Sequence, residues 1–151
     1  MSYSLVGKFL TKEGEETQFS NLDFDRIKIL NEQRYTVLIE GIEGFNYSQE
    51  NSITTVCYRK RDFVEKLEDM KRRLKELENI QEKLNKIRYS SKYYNLSEDG
   101  QARFDTDSSY WKEELEDAEY KVSALIYTID VFDFVESILD KSDLILSISA
   151  L

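Results

Sequence analysis

Residues 59–92 read RKRDFVEKLEDMKRRLKELENIQEKLNKIRYSSK. Apolar side chains at Phe63, Leu67, Met70, Leu74 and Leu77 recur with 4-3-4-3 spacing, the register continues through Gln81 and Leu84, and Ile80 and Ile87 widen the stripe. Steps of three and four place side chains on one side of an α-helix. The charges agree. Asp62/Lys66, Glu68/Arg72, Asp69/Arg73 and Glu82/Lys86 each set an acid four residues before a base, an arrangement worth about 0.2–0.5 kcal/mol per pair. Asp62 is predicted to cap the free amides at the start of this helix, with Glu65 completing a capping box, and the helix to end near Ser90. The segment holds twelve Lys/Arg against seven Asp/Glu, so a basic stretch is embedded in a chain whose net charge is −9.

A second stripe runs Trp111, Leu115, Ala118, Val122, Leu125, Ile129 and Phe132. Its helix is predicted to begin near Asp107 or Ser109, which puts Glu113 and Glu114 in the first turn, where the helix dipole favours acids. Residues 91–108, with Asn95, Asp99-Gly100 and several serines, read as a connector. The two stripes are expected to face each other in an antiparallel hairpin. Arg59-Lys60-Arg61 and Lys71-Arg72-Arg73 are assigned to balancing the acids of the second helix. Beyond Val122 the apolar surface broadens to Ile126, Val131, Phe134, Val135, Ile138 and Leu139, more than one partner helix covers, so this half must also pack on a β-layer or on another chain.

Upstream the period is two. Tyr3, Leu5 and Phe9 alternate with polar or small residues, Lys12 to Glu15 reads as a turn, and Gln18 to Asp25 is extended, with Leu22 and Phe24 alternating with Asp23 and Asp25. Arg26–Ile29 and Arg34–Ile39 flank a hairpin loop at Asn31-Glu32-Gln33, Gly41 and Gly44 interrupt, and Ile53–Tyr58 is rich in β-branched residues. Leu144, Leu146, Ile148 and Ala150 alternate with Ile145, Ser147 and Ser149, which reads as a returning strand, with a helical extension as the alternative. The expected fold is α+β: an N-terminal antiparallel sheet of four to five strands, then a long antiparallel helical hairpin, then the return strand. One domain over 1–151 is expected, with 1–58 β-rich, 59–143 the hairpin and 144–151 a strand or tail.

Composition removes several chemistries. The chain has no histidine, which excludes Ser-His-Asp, Cys-His and His-metal sites. It has no proline and five glycines that never form a phosphate-binding loop. Cys57 sits in a β-branched run with no adjacent base to activate it. The carboxylates Asp23, Asp25 and Glu40 are where metal chemistry would have to run, and Asp23 and Asp25 read as a solvated strand face. The expectation is no enzyme, no cofactor, and no catalytic, cofactor-binding or metal residue. Ten Tyr and eight Phe in 40% apolar content mark a folding chain despite a mean hydropathy of −0.57. A single cysteine and a first segment unlike a signal peptide lead to a reducing, cytoplasmic setting as the expectation, the host cytoplasm if the chain is phage-encoded. Asp130, Asp133 and Glu136 break the most apolar region, so no membrane contact is expected.

What remains is a non-catalytic protein-binding module of the accessory or inhibitory, anti-defence kind carried by phages and mobile elements, acting by occupying the surface of a partner whose identity the residues do not specify. Two alternatives stand beside it, a single-stranded nucleic-acid-binding module and a structural subunit of a homo-oligomer. Three sets of residues serve these readings. Ile126, Phe134 and Ile138 are assigned to self-association as a homodimer. Lys86, Arg88, Tyr89, Lys92 and Tyr93 interleave bases with rings, as single-stranded nucleic acid requires. Glu113, Glu114, Glu116 and Asp117 form an acidic surface able to imitate a phosphate array.

Overall fold

The computed structural model describes residues 5–20, 30–33, 36–39, 42, 44–51 and 53–150. The elements are β1 (Leu5–Leu10), β2 (Glu16–Ser20), β3 (Leu30–Gln33), β4 (Thr36–Ile39), β5 (Phe45–Glu50), β6 (Ile53–Arg59), α1 (Lys60–Arg88), α2 (Ser91–Tyr94), α3 (Glu98–Leu139) and β7 (Ile145–Ala150). The protein is α+β. Residues Met1–Leu67 and Ser123–Leu151 form one compact unit and Glu68–Val122 a second.

In the first unit the sheet runs β2-β1-β7-β6-β5, antiparallel throughout, and β3 and β4 make a separate two-stranded hairpin. The alternating segment after α3 is thus a strand, and it lies at the centre. Ile148 pairs with Gly7 on one side and Val56 on the other, and Leu146 with Phe9 and Tyr58. Leu144, Leu146 and Ile148 are fully buried because they share the face that meets the helices. The other face is small and polar: Thr55 and Ser149 hydroxyls meet at 2.8 Å, and Cys57 is paired with Ser147. At Gly44 the backbone approaches β6 so closely that a Cβ would lie 2.1 Å from Val56 Cγ1, so only glycine fits.

The hairpin turn differs from expectation. Gln33 pairs with Thr36, so Asn31-Glu32-Gln33, expected as the loop, is strand. Tyr3, residues 21–29, Glu40 and Gly41 lie outside the described residues, and with them the expected alternation of Leu22 and Phe24 with Asp23 and Asp25.

α1 starts two residues earlier than expected. Asp62 does cap, but from the third helical position: its carboxylate accepts the Arg59 backbone N–H at 2.9 Å, the return half of a capping box. Phe63 and Leu77 are fully buried, and the other stripe positions are at least partly covered. Of the four expected i,i+4 pairs, Glu82–Lys86 forms at 3.3 Å. Asp69 instead pairs with Arg72, and Arg73 reaches Glu76 at 3.8 Å and, across to α3, Glu114 at 3.9 Å.

The larger correction is at α3. Residues 91–108, expected as a connector, hold the short α2, a corner, and the first eleven residues of α3. Ser90 caps α2 through the Lys92 N–H at 3.3 Å. Ser97 caps α3: its hydroxyl accepts from the Gly100 N–H at 3.1 Å and its carbonyl from the Gln101 N–H at 2.9 Å, with Glu98 and Asp99 at the favourable end of the dipole. The stripe continues backward from Trp111 at the same spacing through Ser108, Phe104 and Gln101, all partly covered. Two of those three are polar, which hid the helix. The stripes keep two orphans as a result, since Gln81 Oε1 and Ser108 Oγ are buried without a hydrogen-bond partner among the described residues.

The core of the first unit is an aromatic chain. Phe9 meets Phe132 edge-on with centroids 5.1 Å apart, Phe132 meets Phe63 at 5.7 Å, and Phe63 meets Tyr58 at 5.8 Å. Sheet, α1 and α3 are joined through these four rings, and each such pair adds roughly 0.5–1.5 kcal/mol beyond area burial. Phe132→Ala is expected to destabilise the single chain by about 3–5 kcal/mol, whereas Phe134→Ala, two residues on and exposed, should change the stability of the single chain, at dilutions where any self-association is absent, by less than about 0.5 kcal/mol. Urea unfolding of the two variants checks this contrast.

Candidate functional site

The C-terminal half of α3 has two apolar faces. Ala124, Leu125, Thr128, Phe132 and Val135 point inward and are buried, with the Thr128 hydroxyl satisfied by the Ala124 carbonyl at 2.9 Å. The inner face therefore takes what the sheet and α1 can cover. Ile126, Phe134 and Ile138 lie on the other side, 41, 59 and 55% exposed. With Asp130 they form a row at steps of four, one ridge along a helix. Ser123 and Ser137 flank it, also exposed and small, so the large side chains stand clear of their surroundings. In the sequence Asp130 reads as a break in the apolar region, not as part of a surface row. It makes no ion pair with a described residue, while Asp133, one turn along, and Glu136 hold Lys60 Nζ at 2.7 and 3.2 Å.

The basic and aromatic set lies in the second unit, where the structure divides it. Tyr93 is buried: its hydroxyl donates to both oxygens of Asp105 at 3.1 and 3.0 Å, and its ring meets Phe104 edge-on at 5.4 Å. Arg88 lies over that ring, its guanidinium carbon 4.2 Å from the centroid. Tyr93 and Arg88 thus build the corner between α1 and α3 and present no free stacking platform. Lys86 is engaged by Glu82 beside an open groove of about 610 Å³ whose lining includes Glu78, Glu82 and Leu115. Tyr89, 81% exposed, and Lys92 remain accessible, next to Tyr94, also exposed. Phe104 and Asp105, which fix this corner, were missed because they fall in the segment read as a connector.

The acidic set is partly spent within the protein. Glu114 faces Arg73, and Asp117 holds Lys121 at 3.0 Å. Glu113 and Glu116 are exposed. Asp23, Asp25 and Glu40 lie outside the described residues. Among the described residues no three His, Cys, Asp or Glu side chains are grouped to hold a metal ion, and no helix is long and apolar enough to cross a membrane. Cys57 is buried, which pushes its thiol pKa up and keeps it protonated, against a weaker opposing effect of the hydrogen bond with Ser147. Comparison with family models, with curated proteins and with solved structures finds no match.

Burial first, then the hydrogen bond and charge of Asp105, raise the Tyr93 phenol above its usual range. A group whose pKa is higher in the folded state gives stability that is whole below its unfolded value, near 10, and is lost as pH rises through the folded value. Ultraviolet titration should therefore show one tyrosine ionising above the usual phenol range, with the corner loosening above about pH 10. Asp105→Asn should bring that late step down; an unchanged titration would contradict the assignment.

Proposed function

We propose that this chain is a non-catalytic protein-binding module whose contact surface is the outer row of α3. The observation that carries the reading is the exposure of Ile126, Phe134 and Ile138 in one row, on a helix whose opposite side is fully buried. Ile126, Phe134 and Ile138 each gain roughly 1.5–3 kcal/mol on burial, exposed apolar side chains grouped on one face mark interaction sites, and Asp130 within the row calls for a cation or solvent on the partner's side. A second copy of the chain is one protein surface that fits, two rows packing across a two-fold axis. An inhibitory role, in which the module covers an enzyme of a phage's or mobile element's host, is the narrower form of this reading. The nucleic-acid reading keeps Tyr89 and Lys92 as its support, gains the exposed Tyr94 beside them, and loses Arg88 and Tyr93 to the corner.

Light scattering across micromolar concentrations is expected to give twice the 17.9 kDa chain mass, falling to one chain in Phe134→Glu, which buries an unpaired charge in any such contact. Affinity capture from the native host with both baits extends the test. A stoichiometric protein retained by the wild type and released by Phe134→Glu supports the row as the contact surface. Single-chain mass, together with capture that Phe134→Glu leaves unchanged, ends the reading. Salt-dependent retention of labelled single-stranded DNA or RNA, lost in Lys92→Glu, would put nucleic acid in its place.

A further inference from the structure

Of Arg59-Lys60-Arg61, assigned from the sequence to balancing the acids of the second helix, Lys60 does so through Asp133 and Glu136 of α3, and all three have a further setting. These residues line a cavity of about 260 Å³ in the first unit, together with Lys12, Asp143 and a wall of Leu144 and Ile145. Four cations and one acid meet there in a chain of net charge −9. Lys60 is neutralised, because Asp133 and Glu136 hold its ammonium and keep it charged. Lys12, Arg59 and Arg61 make no ion pair with a described residue.

Each of the three is presented by a fixed element. The Arg59 guanidinium lies 3.9 Å over the Phe45 ring; stacking uses the flat face of the group and leaves its N–H edge free to donate. Its backbone amide is already taken by Asp62, so the available donors are side chains. Lys12 stands in a locked turn, with Thr11 N–H to Glu15 O and Gly14 N–H to Thr11 O both at 2.8 Å, and Gly14 at φ +87°. Arg61 follows from the first turn of α1. Asp143 enters from the loop after α3, where the Lys141 N–H closes on the Glu136 carbonyl at 3.1 Å and Asp140 and Asp143 adopt φ of 51° and 59°. Asp143 is one acid against three cations without an ion pair, so an anion among them lowers the Coulomb energy.

We propose that this cavity is an anion-binding site for a phosphate-type ligand, with Lys12, Arg59 and Arg61 as its donors. Arginine forks match phosphate oxygens bidentately and lysine adds a point charge. Pockets for drug-sized molecules run to roughly 300–1,000 Å³, so this volume suits inorganic phosphate, pyrophosphate or the terminal phosphate of a larger molecule whose remainder stays outside. Asp143 opposes the anion and gives the proposal a second sign to check. The site shares no residue with the outer row of α3.

The test is a titration of the ¹⁵N-labelled chain, followed by amide shifts, with inorganic phosphate, pyrophosphate and a nucleoside diphosphate, against sodium chloride at matched ionic strength. Saturable shifts confined to Lys12, Arg59, Arg61 and residues 143–145 are expected, with pyrophosphate tighter than phosphate. The double variant Lys12→Glu/Arg61→Glu, exposed positions that leave the core intact, should bind at least about tenfold more weakly. Asp143→Asn should bind roughly two- to fivefold more tightly. A nucleoside diphosphate no tighter than pyrophosphate identifies the free anion as the ligand; one that is tighter, with shifts reaching beyond the cavity, identifies the phosphate of a larger molecule. Shifts that chloride reproduces, that do not saturate, or that persist in the double variant overturn the site.

Discussion

β7 is hydrogen-bonded on both sides, to β1 and to β6, and the sheet exists as one sheet because of that insertion. Without it β1–β2 and β5–β6 are two separate hairpins, each at best marginal in water. The same insertion brings Phe9 of β1 and Tyr58 of β6 onto one face, where Phe132 and Phe63 close over them. The helices are thereby held to strands from both halves of the sheet at once.

The packing of α3 and the exposure of its outer row have one cause. A sheet and one neighbouring helix cover a limited arc of a helix, and here that arc is filled by Leu125, Thr128, Phe132 and Val135. The sequence continues to place large apolar residues outside it. The charges are likewise set apart. Ion pairs such as Arg73–Glu114 and Lys121–Asp117 lie in the second unit, whereas Lys12, Arg59 and Arg61 converge on one cavity of the first without an ion pair among the described residues.

Periodicity made the central parts legible. Phe63 to Leu84 and Trp111 to Phe132 carry their spacing in apolar side chains, and the excess beyond Val122 announced the outer row, because neither needs knowledge of the partner. The start of α3 was illegible for the converse reason: Gln101 and Ser108 hold stripe positions with polar side chains, and Ser97 signals a cap only once the helix is known. The central place of β7 was beyond reach, since alternation shows a strand but not its neighbours, and Thr55 and Ser149, which meet across β6 and β7, lie 94 residues apart. Tyr93 carried the same chemistry in sequence as Tyr89. Only Asp105 and Phe104, brought round by the corner, separate a buried phenol from an exposed one.

β6 and β7 are adjacent antiparallel strands, a pair that a two-residue turn can join, yet the whole helical excursion runs between them. Their register is fixed by six paired positions, Thr54–Ala150 through Arg59–Ile145, none of which belongs to Glu68–Val122. The entropic cost of closing a loop rises only slowly with its length. Descendants of this chain are thus free to lengthen or shorten the excursion, provided both stripes change in step by whole heptads, while the sheet stays as it is. The length of the excursion is then a quantity open to selection on its own, apart from the sheet that anchors it.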